Sequence, residues 1–192
     1  RATIRKNCWW PQDMFVKVLF FDTSAILRLF LDQPGFQTAR WLTSAPVKVS
    51  NGLTFHVSAT VAYEFDQVLD ARVKSGKLSS ERADDWKDRF NRHYLNRWFK
   101  IANHRPPKVY SRGLTLTQVF GVGGFRLYGD NRDASILHTI DNALGSLAGL
   151  SHPILVTCDV RFARRARKLG YRTINPATQS RSEILSIIRS AR

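Results

Sequence analysis

The stretch "MFVKVLFFDTSAILRLF", residues 14 to 30, decides how the chain is read. Residues 15 to 21 are almost all apolar, which is the pattern of a buried strand. The run stops at Asp22, and the helix-forming "TSAILRLFL" follows at once. A carboxylate in that position either caps the helix behind it or belongs to a site at the end of the strand.

The same pattern returns near the C-terminus. "HPILVTCD" is a second apolar strand ending in an acid, Asp159, and the helix "VRFARRARKLG" follows it. In an open parallel sheet, sites form outside the carboxyl ends of the strands. Two strand-end acids can therefore face each other there, although each is also placed to cap its own helix.

Between these two units strands and helices alternate. "VKVSNGLTFHVS", residues 47 to 58, reads as a strand or a turn between strands, with Asn51-Gly52 as the turn. Residues 59 to 74 read as a helix with the stripe Ala62, Phe65, Leu69 and Val73. A longer helix is expected from Ser79 to about residue 103, with Trp86, Phe90, Tyr94, Trp98 and Ile101 on one face. That aromatic stripe suits core or dimer packing better than base stacking. Residues 104 to 129 are irregular, with Pro106-Pro107 and "GVGGF" at 121 to 125, and no Gly-Lys-Ser/Thr follows to make a phosphate loop. A helix over 132 to 148, the strand "YRTIN" and a C-terminal helix after Ser180 and Glu183, which have capping-box spacing, complete the pattern. The expected fold class is α/β, a three-layer fold with a central, mostly parallel sheet flanked by helices.

Two further acids stand on helices. Glu64 lies at the edge of the 62–73 stripe, where a solvated glutamate is the alternative. Asp133 heads the stripe Leu137, Ile140, Leu144 and Leu147, where a carboxylate either needs compensation or simply favours the first turn of its helix. Asp141, eight residues after Asp133, lies about 12 Å further along the axis and falls outside the same group. Four converging carboxylates repel unless a cation sits among them. Their oxygens suit magnesium or manganese, which activate water and steady charge on a phosphate.

The totals agree. The chain has 192 residues, 43% of them hydrophobic, enough for one domain with a sizeable core. Thirty Lys and Arg against fifteen Asp and Glu leave +15, which favours a polyanionic partner. No apolar run reaches the ~18 residues of a membrane span. Cys8 and Cys158 make neither a disulfide framework nor a zinc pattern, and a cytoplasmic setting is expected. The five histidines show no ligand spacing. The expected organisation is residues 1–13 as an extension, 14–177 as the main domain and 178–192 as a basic C-terminal helix. Met14, the single methionine, marks either a natural start or the end of an ordinary N-terminal arm.

On these residues the chain resembles the PIN-domain nucleases. "VLFFDTSAIL" is similar to the family's first motif, "SATVAYEFDQVL" to its second with Glu64 as the acid, and "DNRDASILHTIDNAL" to its third with Asp133. "ILVTCDVRFARRARKLGYRTINP" is similar to the last, with Thr157, Asp159, Phe162, Gly170 and Pro176 in place. The resemblance runs from Met14 to Pro176. It implies that Asp22, Glu64, Asp133 and Asp159 hold Mg2+ or Mn2+ and cleave RNA, with Thr157 in support. In layout it is nearest to the toxins of VapBC-type toxin–antitoxin pairs, which implies a homodimer and a small antitoxin protein as partners besides RNA. Arg161 and Arg164, just after Asp159, are the candidates for contact with the nucleic acid. The alternatives are an RNA-processing nuclease that is not a toxin, a non-catalytic basic RNA-binding domain with structural acids, and a module whose basic face binds an acidic protein. A haloacid-dehalogenase phosphatase is set aside, because the second Asp it needs is Ser24 here.

Overall fold

The computed structural model describes residues 17–102, 133, 136, 137, 140 and 153–191. The expectations for residues 1–13, for the irregular segment 104–129, for most of the 132–148 helix, and for His104, His138, Asp141 and His152 lie outside these residues.

Among the described residues, five strands form one parallel sheet in the order β3-β2-β1-β4-β5. They are β1 (Lys17–Phe21), β2 (Leu53–Ser58), β3 (Phe99–Ala102), β4 (Ile154–Val156) and β5 (Arg172–Ile174). The α/β class read from the sequence is the fold found. β1 is central: Phe20 is opposite His56 on one side and Leu155 on the other. Val18 to Phe21 are all buried, which is why the strand shows an unbroken apolar run rather than alternation.

The helices bounded within the described residues are α1 (Thr23–Leu27), α2 (Phe36–Leu42), α3 (Ala45–Ser50), α4 (Ala59–Lys74), α5 (Ser80–Arg89), a π-helical continuation (Phe90–Trp98), α6 (Val160–Lys168) and α7 (Arg181–Ser190). α4 has the expected bounds. The Ser58 hydroxyl accepts from the Val61 N–H to start it, and Val61, Phe65 and Leu69 are its buried stripe. Three local expectations are corrected. The helix after Asp22 closes at Leu27 rather than running to residue 31. Residues 47 to 50 belong to α3, not to a strand, and Asn51 ends that helix just before β2. The long helix from Ser79 widens to π geometry at Phe90 and stops at Trp98, so Ile101 stands on strand β3.

The aromatic stripe packs inward. Phe30 lies against Phe65 (5.0 Å), Trp86 (5.9 Å) and Tyr94 (5.6 Å) between ring centroids, and Phe65 against Phe90 (4.5 Å). Tyr94 carries the cluster onto the sheet through Phe99 (6.0 Å), which meets Phe21 edge-on at 5.0 Å. Such pairs contribute about 0.5–1.5 kcal/mol each beyond their burial. At the other end of the chain, the capping box of Ser180 and Glu183 starts α7, and Ile184 and Ile188 of that helix join the same core. Gly35, at φ +91°, brings α2 so close to the loop after β5 that a Cβ there would meet the Ala177 backbone at 2.6 Å. Among the described residues no helix is long and apolar enough to cross a membrane.

Candidate functional site

Strand order places the two strand-end acids together. β1 is flanked by β2 and β4. The chain leaves β1 towards β2 and leaves β4 towards β5, in opposite directions along the sheet. With right-handed crossovers, α1 and α6 then lie on opposite faces, and a crevice opens between the carboxyl ends of β1 and β4. This is the topological switch point of a parallel sheet, where ligands bind. Asp22 and Asp159 stand at its two sides.

The crevice is tied across by short polar side chains. Thr157 donates its hydroxyl to Asp22 Oδ2 at 2.8 Å, and Ser24 donates to the same oxygen at 2.6 Å. In turn Ser24 Oγ accepts from the Cys158 N–H (2.8 Å), and Thr157 Oγ1 accepts from the Asp159 N–H (3.1 Å). The backbone adds Asp22 N–H to the Val156 carbonyl at 2.9 Å. Asp22 also caps α1, taking the Thr23 N–H on Oδ1 (2.7 Å) and the Ser24 N–H on Oδ2 (3.3 Å). Oδ2 thus has three donors while Oδ1 has one, so Oδ1 keeps acceptor capacity. Asp159 caps α6 in the same manner, its Oδ1 accepting from the Arg161 N–H (2.7 Å) and the Phe162 N–H (3.0 Å). Both acids therefore do act as helix caps, Asp22 with one cap bond on each oxygen and Asp159 with both cap bonds on Oδ1.

Glu64 comes in from α4. Its carboxylate accepts a hydrogen bond from the Thr23 hydroxyl, next to Asp22. Asp133, helical and half-buried, comes from the segment between β3 and β4. Its Oδ2 stands 3.8 Å from Arg165 on α6.

The four acids feel one another. Burial pushes the Asp22 carboxyl above its ordinary range. Hydrogen bonds from Ser24, Thr157 and the Thr23 backbone oppose that push, and the Glu64 charge adds to it. Burial likewise drives Asp133 up to about 7, helped by the charges of Asp22, Asp159 and Glu64 and resisted by Arg165. The donors are hard carboxylate oxygens, and their common field is negative and only partly compensated, so in kind and in sign the residues fit a hard divalent cation. In spacing, no three Asp, Glu, His or Cys groups among the described residues stand close enough to hold a metal ion as they are.

Arg161 and Arg164 are exposed on α6. The arginine set beside an acid is instead Arg165, at the margin of the buried stripe of Phe162, Ala163 and Ala166. Thr23 and Ser24, which position Glu64 and Asp22, were not assigned from the sequence. Their signal was only that two hydroxyl residues follow a strand-end acid.

No family model matches the chain, and no curated protein matches it. Among solved structures it is similar to a PilT N-terminus domain protein from the hyperthermophilic archaeon Sulfolobus solfataricus P2. The two share 15% identity over 91% of this chain and 96% of that one, with a TM-score of 0.34. So loose a likeness carries no functional argument, and the chemistry rests on the residues themselves.

Proposed function

We propose that the chain is a metal-dependent endoribonuclease that hydrolyses RNA phosphodiester bonds at the crevice between β1 and β4. The observation that carries this reading is the pairing of two strand-end acids, Asp22 and Asp159, on the adjacent strands β1 and β4, bridged by Thr157, which donates to Asp22 Oδ2 and accepts from the Asp159 N–H. The Asp133 carboxyl feels the charges of Asp22, Asp159 and Glu64, which come from three other parts of the chain, and a divalent cation drawn among them would remove the resulting cost. The net charge of +15 supplies the preference for a nucleic-acid substrate.

Asp22, Glu64, Asp133 and Asp159 would hold Mg2+ or Mn2+, which when bound lowers the pKa of a water and steadies charge developing on the phosphate. The chain's other residues orient that set. Thr157 and Ser24 occupy Asp22 Oδ2 and leave Oδ1 with the Thr23 N–H as its one donor. Thr23 turns Glu64 toward the crevice. Arg165 tempers the charge on Asp133. Arg161 and Arg164, exposed on the helix that Asp159 caps, draw the RNA backbone to the opening. Within this reading, the form implied by the motif resemblance is the toxin of a toxin–antitoxin pair, working as a homodimer and held in check by a small antitoxin protein. Growth arrest on expression of the chain, relieved by co-expressing the product of a small adjacent reading frame, tests that form.

One observation favours a second reading. Asp22 and Asp159 both cap helices, so structural acids on a basic, non-catalytic RNA-binding domain account for those two residues. The experiment that decides is incubation of the purified chain with a mixed RNA pool, with magnesium, with manganese, and after exhaustive EDTA treatment. Cleavage that needs the metal supports the nuclease. Binding without cleavage under every condition supports the second reading, and cleavage that survives EDTA removes the metal mechanism.

A further inference from the structure

A cleft of about 410 Å³ opens between α2–α3 and the end of the α5–π-helical rod, lined by Arg40, Thr43, Ser44, Ala45, Arg89, Tyr94 and Trp98. Among the described residues, none of the four acids lines it, and no carboxylate does. Its floor is aromatic: Tyr94 and Trp98 are half-buried. Their inner sides belong to the core, where Tyr94 meets Phe30 and Phe99. Its rim is cationic and exposed. Arg40 is held in place, its Nε and Nη2 both donating to the Leu29 carbonyl at 3.2 Å and its guanidinium lying 5.0 Å from the Phe36 ring centroid. Fixed in this way, it presents its remaining N–H groups without further loss of side-chain entropy. Lys48, half-buried and outside the lining, lies over part of the Trp98 ring, 4.5 Å from its centroid. Arg89 also borders a smaller depression with Asp85, Asp88 and Arg92, where Asp88 is drawn onto Arg92 at 2.8 Å.

Aromatic faces beneath a cationic rim are how proteins take single-stranded nucleic acid. Bases stack on the rings, and the backbone phosphates follow the arginines. The size suits a nucleotide. An aliphatic ligand would leave the two arginines unanswered, and a duplex would not offer its bases to the rings.

We propose that this cleft is a second binding site for single-stranded RNA, one that holds a nucleotide of the substrate away from the acids. The inference takes RNA as the ligand from the proposed function, but it does not require that the acids cleave.

The test is binding of a fluorescein-labelled, single-stranded RNA octamer in metal-free buffer, by anisotropy across a salt series. The proteins are the parent, Arg89→Gln, Trp98→Leu and Trp98→Phe, each checked for its thermal melt. Arg89→Gln is expected to flatten the slope of log affinity against log salt by about 0.7, one phosphate's share on a single strand. Trp98→Leu is expected to weaken binding about 5- to 150-fold, the range of one lost stacking contact, and Trp98→Phe to restore most of it. Because no metal is present, failure to cleave leaves these readings intact. Parental affinity and slope in folded Arg89→Gln and Trp98→Leu would overturn the proposal. So would an Asp/Glu-rich decapeptide that binds the parent and is lost in Arg89→Gln while RNA binding is unchanged, which would assign the cleft to an acidic protein partner. Should Trp98→Leu fail to fold, the Arg89→Gln slope alone decides.

Discussion

The Thr157 hydroxyl donates to Asp22 across 135 residues of chain and 2.8 Å of space. It joins the carboxyl ends of β1 and β4 and loads one oxygen of Asp22, leaving the other with the Thr23 N–H as its one donor. It is also fully buried, so its loss leaves a desolvated carboxylate short of a donor.

Thr157→Val is therefore expected to destabilise the fold by about 1–3 kcal/mol, the cost of a buried hydrogen bond to a charged group. Thr157→Ser keeps the donor and is expected to recover most of that. Urea unfolding at pH 7.5 checks both. A valine variant as stable as the parent would show that the bond holds nothing.

Asp133 gives a stability that depends on pH. Its folded pKa, about 7, lies above its ordinary 3.8, so the folded state favours the protonated form. Below pH 3.8 the group costs nothing. The cost grows as pH rises from 3.8 to 7, where the unfolded chain has released its proton and the folded chain keeps it, and it is complete above 7. Asp133→Asn removes the cost. In metal-free buffer the variant is expected to be more stable than the parent at pH 8, by about 1–2 kcal/mol once the exposed third of the side chain is allowed for. The advantage should shrink towards pH 4. A variant less stable than the parent at pH 8 would mean that its neighbours do not repel Asp133.

His56 works in the other direction. It lies on β2 with its ring 5.2 Å from that of Phe20. Burial, then the Lys100 charge, lowers its pKa to about 4. A lowered pKa contributes stability that is full above the unfolded value of 6.5 and is lost as pH falls towards 4. Paired unfolding titrations of the parent and His56→Gln are expected to show about 1–3 kcal/mol less acid loss in the variant over that window. Identical pH slopes would show that the imidazole protonates freely in the folded state.

The strands that carry the acids were legible because burial on both faces writes an unbroken apolar run, and Asp22 and Asp159 end such runs. α3 was misread because Val47-Lys48-Val49 alternates like a strand, although Ser44 and Pro46 stand where helices begin. β3 was hidden because Trp98 and Ile101 continue the spacing of the helix before them. Nothing local marks the change at Phe99, which pairs with Phe55, a partner chosen by the tertiary fold. The acids could be named singly for the same reason that their connections could not. Asp22 meets Thr157, and Thr23 meets Glu64, only after β1 has paired with β4 and α4 has packed on α1. Arg165 shares its helix with other basic residues and is distinguished from them by its contact with Asp133.

The central claim is that Asp133 and its three acidic neighbours form one metal-dependent cleavage site. Its most direct test is the rate of RNA cleavage by the parent and by Asp133→Asn in manganese, each with a melting curve from the same preparation. The parent is expected to cleave only with metal, and the asparagine variant to be folded and at least 100-fold slower, a loss of about 2.7 kcal/mol or more in transition-state stabilisation. A folded Asp133→Asn that cleaves at the parental rate would contradict it.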